Sequence, residues 1–215
     1  MANAESARRK AVPEDQQTAS KSRLRQNAES LLLAVLVALV VRSSVVEAFW
    51  VPSGSMLPTI QIGDHLFVNK LAYGLHIDIP LVNKSVVLAR WGQLHRGDII
   101  VFVSPNDRNI DLIKRVIGTA GDTVEVRQKK LFINGEAVPD PNANFKRPDE
   151  RNTVPRDNLA PVKVPEGQFF VMGDNRDESY DSRYWGFADE RDVKGKATFI
   201  YWSGWNFGRL AHWIR

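Results

Sequence analysis

Hydrophobic positions divide the chain into three unlike parts. Residues 1–28 are polar, with almost no large apolar side chain, and carry Arg8, Arg9, Lys10, Lys21, Arg23 and Arg25. Such a stretch cannot bury enough surface to order itself and reads as a solvated arm. From Leu31 to Val41 the chain is apolar without a break; Arg42, Ser43 and Ser44 interrupt, and Val45 to Val51 resumes the run around Glu47. Beyond residue 60 the pattern changes to short runs rich in β-branched and aromatic residues, bounded by Gly, Asp, Asn and Pro. These predict strands at 65–68, 98–103, 110–117, 123–127, 131–133, 168–172 and 197–202. Asn134-Gly135 is a two-residue hairpin signal. No long segment after residue 51 has helical periodicity, so the soluble part is expected to be mainly antiparallel β.

The apolar stretch permits three readings: a buried core helix, a cleavable signal peptide, or an uncleaved membrane anchor. No small-x-small cleavage site follows it. A spanning helix needs roughly 20 apolar residues, which 29–51 supplies at the expense of including Arg42 and Glu47. Six basic residues precede it, and none lies between Trp50 and Asn69. The positive-inside rule then puts the N-terminus in the cytoplasm and the rest outside. The expected organisation is a basic cytoplasmic arm over 1–28, a transmembrane anchor over 29–51, and an extracytoplasmic β-rich domain over 52–215. Pro139, Pro141, Pro148, Pro155, Pro161 and Pro165 crowd a charged stretch, 136–167, read as an irregular surface insertion. The tail carries Trp202, Trp205, Phe207 and Trp213, either packed on the core or resting on lipid.

Composition changes this picture little. The net charge of +4 does not suggest nucleic acid. The chain has no cysteine, which excludes disulfides and thiol chemistry. Its four histidines are scattered without metal-ligand spacing.

Three stretches could carry chemistry. Pro52-Ser53-Gly54-Ser55-Met56-Leu57-Pro58-Thr59 presents hydroxyls between two prolines that disfavour helix. It is either a turn or a mount for a nucleophile, and a serine nucleophile needs a base. No histidine is suitably placed. A lysine serves only if an apolar setting lowers its pKa from about 10.4 toward 7–8. Lys114, alternating with Leu112 and Val116, is the candidate; the ordinary alternative is a lysine snorkelling to a strand edge. The third stretch runs from Gly173 to Gly186 and is dense in Asp and Arg. It lacks calcium-loop spacing and reads as a loop braced by Asp–Arg pairs. Such a loop could set Ser179 or Ser182 beside an active-site lysine.

Taken in this order, with Arg96-Gly97-Asp98-Ile99-Ile100-Val101-Phe102 and Ile113-Lys114-Arg115-Val116-Ile117-Gly118, these stretches closely resemble bacterial type I signal peptidases over about residues 31–208. The resemblance implies a membrane-anchored serine protease with a Ser–Lys dyad. Its fold would be an antiparallel β catalytic core with a short irregular or β insertion, here about 124–167, and one N-terminal transmembrane helix. It makes Ser55 the nucleophile and Lys114 the general base. Ser53 would join the Ser55 amide in the oxyanion hole, Ser179 would hydrogen-bond the lysine, and Asp181 and Arg183 would form a salt bridge steadying the loop. Gly173 and Asn175 would shape its backbone. The family usually has Asn where this chain has Glu178; a carboxylate near Lys114 would raise its pKa, so Glu178 is expected to face solvent. No metal or cofactor is implied. The implied partners are signal-peptide-bearing preproteins, the lipid bilayer and the secretion translocon, with no nucleic acid. The implied enzyme is a monomer in the plasma (inner) membrane. Two other readings compete: a self-cleaving repressor-like Ser–Lys peptidase, for which no helix-turn-helix is evident, and an anchored β protein that binds extended peptides without cleaving them.

Overall fold

The structure is a computed structural model and describes residues 25–35, 37, 45–79, 84–147, 149, 153–204 and 206–214. The chain divides into two compact units, Met1–Val41 and Arg42–Arg215. In the first, residues 25–35 are helical (α1), with Leu31, Leu32, Leu33 and Val35 exposed. No helix of the described residues is long and apolar enough to cross a membrane. The expected disordered arm lies almost entirely outside the described residues, as does most of 36–44.

The second unit is mainly β, and its named strands pair antiparallel. The large sheet contains β1 (Val46–Trp50), β2 (Asp64–Asn69), β5 (Ile99–Val103), β6 (Asp111–Gly118), β11 (Gln168–Met172), β12 (Ala188–Asp189), β13 (Val193–Ser203) and β14 (His212–Trp213). Its order is β1-β2-β13-β5-β6-β11-β12, with β14 also on β13. A hairpin of β3 (Gly74–Ile79) and β4 (Lys84–Arg90) stands apart from it. Four strands, β7 (Thr123–Arg127), β8 (Lys130–Ile133), β9 (Glu136–Ala137) and β10 (Leu159–Lys163), form a sheet in the order β10-β7-β8-β9. A short α-helix, α2, covers Ser182–Trp185.

Three expectations need correction. The anchor expected over 29–51 does not continue as helix to its end, because residues 46–50 are β1, paired with β2 along its whole length. Val45, Val46, Phe49 and Trp50 favour strand over helix. Alternation then turns Phe49 onto the core, and Glu47 lies 3.6 Å from the buried Lys70 ammonium. A strand therefore gives Glu47 a cation where a spanning helix would give it hydrocarbon. The insertion is less irregular than expected, since β10 returns to pair with β7 across a register shift between Leu159 and Val162. Pro161 is tolerated there because the strand is an edge and is bulged. The hairpin of β3 and β4 was also missed. At Asn134-Gly135 the expected tight turn is present: both residues have positive φ, 55° and 85°, and join β8 to β9.

The core fixes the later chemistry. Val51, Met56 and Ile60, which bracket Ser55, are buried with Leu66 and Val68 of β2 and with Ile99, Val101, Ala197 and Ile200. A second cluster packs Ile100, Phe102, Val116, Phe169 and Val171. The serine segment is thus nailed to the sheet on either side of its hydroxyls.

Candidate active site

The serine segment leaves β1 as a series of turns. Leu57 N donates to Gly54 O at 3.2 Å, and Ile60 N to Met56 O at 3.0 Å. Burial of Val51 and Met56 leaves Ser53 exposed and Ser55 half-buried between them. On β6, Lys114 lies opposite Ile100 of β5 and is 3% exposed. Its Nζ donates to Ser55 Oγ at 2.6 Å and to Ile113 O at 3.2 Å. Two residues 59 positions apart in the chain are thereby brought into direct contact.

Burial holds the Lys114 ammonium down, from an ordinary value of 10.5 to about 8. Desolvation disfavours the charged form. The Asp181 carboxylate pulls the other way, the Arg183 guanidinium adds to the lowering, and Asp174 opposes it. Each of these carboxylates is occupied by an arginine. Arg183 grips Asp181 through Nε at 2.8 Å and Nη2 at 2.9 Å. Arg115 grips Asp174 through Nε at 2.8 Å and Nη2 at 2.7 Å. Both pairs are buried. Asp181 Oδ2 also accepts from Gly173 N at 2.9 Å, and Asp174 Oδ2 from Thr59 Oγ1 at 2.5 Å. The carboxylates therefore tie the loop after β11 to itself and to the serine segment.

The expected residues do not all meet as foreseen. Ser55 and Lys114 do, and Asp181 pairs with Arg183. Ser179 does not bond to Lys114: among the described residues its buried Oγ has no hydrogen-bond partner. It packs instead against Gly173, where a Cβ would lie 2.3 Å from Ser179 Oγ and 2.4 Å from the Ser55 carbonyl oxygen. Only glycine fits so close an approach. Ser182 Oγ accepts from Val171 N at 3.0 Å, so it holds α2 to β11. Asn175 is central: its N donates to Ser55 O at 3.0 Å and its Nδ2 to Gly54 O at 2.9 Å. Glu178 faces outward, half-exposed and paired with Lys146, which holds its carboxyl below the usual range.

Several partners escaped the sequence reading. The loop's Asp–Arg content was visible, but Arg115, Lys129, Asp140 and Arg156 reach it from elsewhere. Lys129 pairs with Asp177 at 2.9 Å and lies 3.7 Å from Asp157. Charged residues in an apparently irregular insertion carry no sign of which loop they meet.

Comparison with known proteins agrees with the motifs. A family model described as signal peptidase, peptidase S26, matches residues 24–202. Signal peptidase I of Pseudomonas fluorescens is 38% identical over 215 residues, covering 86% of this chain and 74% of that protein. Signal peptidase I of Bacillus licheniformis is 34% identical, covering 88% of this chain and 95% of its own. That of Leptolyngbya laminosa is 35% identical, with 93% and 90% covered. With this coverage, and with serine and lysine in contact at its centre, the chain belongs to the signal peptidase family, peptidase S26, and is a serine peptidase.

Proposed function

We propose that this protein removes N-terminal signal peptides from secreted preproteins, with Ser55 as nucleophile and Lys114 as general base. The observation that carries the reading is the 2.6 Å contact between Lys114 Nζ and Ser55 Oγ, made by a lysine buried enough to be partly neutral near neutral pH. In its neutral form Nζ accepts the Ser55 hydroxyl proton as Oγ bonds to the scissile carbonyl carbon. The carbonyl π electrons move to the oxygen, and to Ser53 Oγ and the Ser55 amide we assign the task of stabilising them. Donors of this kind contribute roughly 2.7–4 kcal/mol each. Collapse of the tetrahedral species breaks the C–N bond, and the Lys114 proton passes to the leaving amine. The acyl-enzyme is then opened by water, which gives its proton to Lys114 as it attacks; that proton returns to Ser55 Oγ on release.

The backbone offers a place for the substrate. β5 covers one edge of β6 from Asp111 onward, whereas β11 joins the other edge only from Arg115. Among the described residues, the edge over 111–114 carries no strand partner. An extended preprotein segment would add there, beside residues 51–57, by main-chain hydrogen bonds. Small residues at the first and third positions before the scissile bond would suit shallow pockets. We assign membrane attachment to the apolar segment that begins at Leu31, supported by the basic residues before it and by its exposed leucines.

The test is turnover of a synthetic preprotein by wild type, Ser55→Ala and Lys114→Met. Both variants should lose cleavage, and equal cleavage by all three overturns the assignment. Protease protection of residues 1–28 in sealed vesicles tests the attachment; digestion from the outer side refutes a cytoplasmic N-terminus.

A further inference from the structure

Segment 140–147 belongs to the insertion, remote in sequence from every catalytic motif, yet it is fastened to the loop after β11. Asn144 N donates to Asp174 O at 2.7 Å, and Arg176 N donates to Asn144 O at 2.9 Å. Asn144 and Asn175 thereby form a short parallel bridge. Arg176 is 2% exposed. Its guanidinium meets both carboxylate oxygens of Asp140, with Nη2 at 2.9 Å from Oδ1, and its Nε donates to Gly173 O at 3.1 Å. The other side of the same loop holds the serine segment through the two Asn175 hydrogen bonds to Gly54 and Ser55. The loop is therefore clamped between the insertion and the nucleophile.

A guanidinium buried this deeply depends on its carboxylate, because loss of one partner strands a charge out of water. Without Asp140, Arg176 would have to turn toward solvent and release the Gly173 carbonyl. Gly173 is the residue with no space to move, wedged between Ser179 and the Ser55 carbonyl. We propose that Asp140 is a positioning residue for the reaction: through Arg176 it holds the 173–175 backbone, and that backbone holds Ser55 against Lys114. The inference rests on the reading of Ser55 and Lys114 as the dyad. The charged groups that face Lys114 are Asp181, Arg183 and Asp174, the last held by Arg115. Asp140 is not among them, so its influence travels through backbone position and water access.

The experiment compares the full chain in detergent micelles as wild type, Asp140→Asn, Asp140→Glu, the double variant Asp140→Asn/Arg176→Gln, and Ser55→Ala. The probe is a synthetic preprotein with alanine at the first and third positions before the scissile bond. Asp140→Asn should lower kcat by about tenfold to a hundredfold, the penalty of a small misplacement of reacting groups, with KM within about twofold. The pH midpoint of kcat should rise as water reaches Lys114, and Asp140→Glu should recover most of kcat. The double variant strands no charge, should show the same loss of kcat, and decides the matter should Asp140→Asn not fold. Wild-type kcat and midpoint in these variants overturn the proposal. So does a lower melting temperature with kcat per folded molecule and midpoint unchanged, which is the mark of a merely structural brace. If Ser55→Ala cleaves as fast as wild type, the dyad reading fails and the inference falls with it.

Discussion

A lysine whose charge is disfavoured by burial should weigh on the fold that holds it. The unfolded chain leaves Lys114 near 10.5, whereas the folded site holds it at about 8. Below pH 8 the folded protein must either carry a desolvated ammonium or give up a proton that the unfolded chain keeps. One pKa unit corresponds to about 1.4 kcal/mol, so the full cost is about 3 kcal/mol. It is fully present below pH 8, shrinks as pH rises through the window from 8 to 10.5, and is gone above it. Lys114→Met removes the titrating group while keeping an unbranched apolar stem. It also removes the hydrogen bonds to Ser55 and Ile113, a loss of about 1 kcal/mol each. The net expectation is an inactive protein that is more stable at pH 7 by about 1 kcal/mol. For a domain of this size that is a rise in Tm of about 2–4 °C. Thermal unfolding of Lys114→Met and wild type at intervals from pH 6 to 10.5 measures it. The Tm difference should be flat below pH 8 and should fall as pH climbs through the window. A variant that is less stable than wild type at pH 7, or a difference indifferent to pH, refutes the claim that desolvation sets the lysine.

Other outcomes follow from the same geometry. Turnover should climb about tenfold per pH unit below pH 8 and level off above it, since only about a tenth of Lys114 is neutral at pH 7; kcat/KM from pH 6 to 9 checks this. Arg183→Gln leaves the buried Asp181 carboxylate unanswered, so the midpoint of that profile should move upward, and an unmoved midpoint contradicts the assigned electrostatics. Gly173→Ala places a methyl inside the contact distance of Ser179 Oγ and the Ser55 carbonyl. It should cut kcat by about a hundredfold or more, measured on the folded variant. Arg115→Met strands Asp174 in the interior and should cost about 3–5 kcal/mol of stability, read from the denaturant midpoint.

The strands of the sheet were legible because β-branched or aromatic runs such as 99–103 and 168–172 are bounded by turn residues, and local chemistry decides both features. Ser55 and Lys114, which meet in the structure, were legible as candidates through the short segments around them, each placed by its own neighbours. β1 was not, because a run of Val, Ala, Phe and Trp is equally apolar in a helix; the β propensity of Val45, Val46, Phe49 and Trp50 is realised only against the edge offered by β2. β10 was hidden by Pro161, a residue that argues against strand until an edge and a bulge excuse it. The expected bond from Ser179 to the lysine is not made, because the direction of one hydroxyl depends on Gly173 and on Ser55 across the site. The partners Asp140, Lys129 and Arg156 were unreadable because their meaning lies wholly in long-range contact.

The two Asp–Arg pairs beside Lys114 solve one physical problem. A loop passing through a water-poor site needs strong acceptors for its amide and hydroxyl donors, and carboxylates supply them: Asp181 for Gly173 N, Asp174 for Thr59 Oγ1. Left alone, each carboxylate would restore charge to the lysine and oppose the desolvation that holds its pKa down. A two-pronged guanidinium satisfies the remaining lone pairs and opposes that charge in one contact, which an ammonium could not do with the same geometry. Arg115 therefore acts on the lysine through Asp174, whereas Arg183 also opposes its charge directly. Arg115 occupies the position next to Lys114 in the same strand, so β6 places the lysine and the arginine that answers one of its neighbouring carboxylates together.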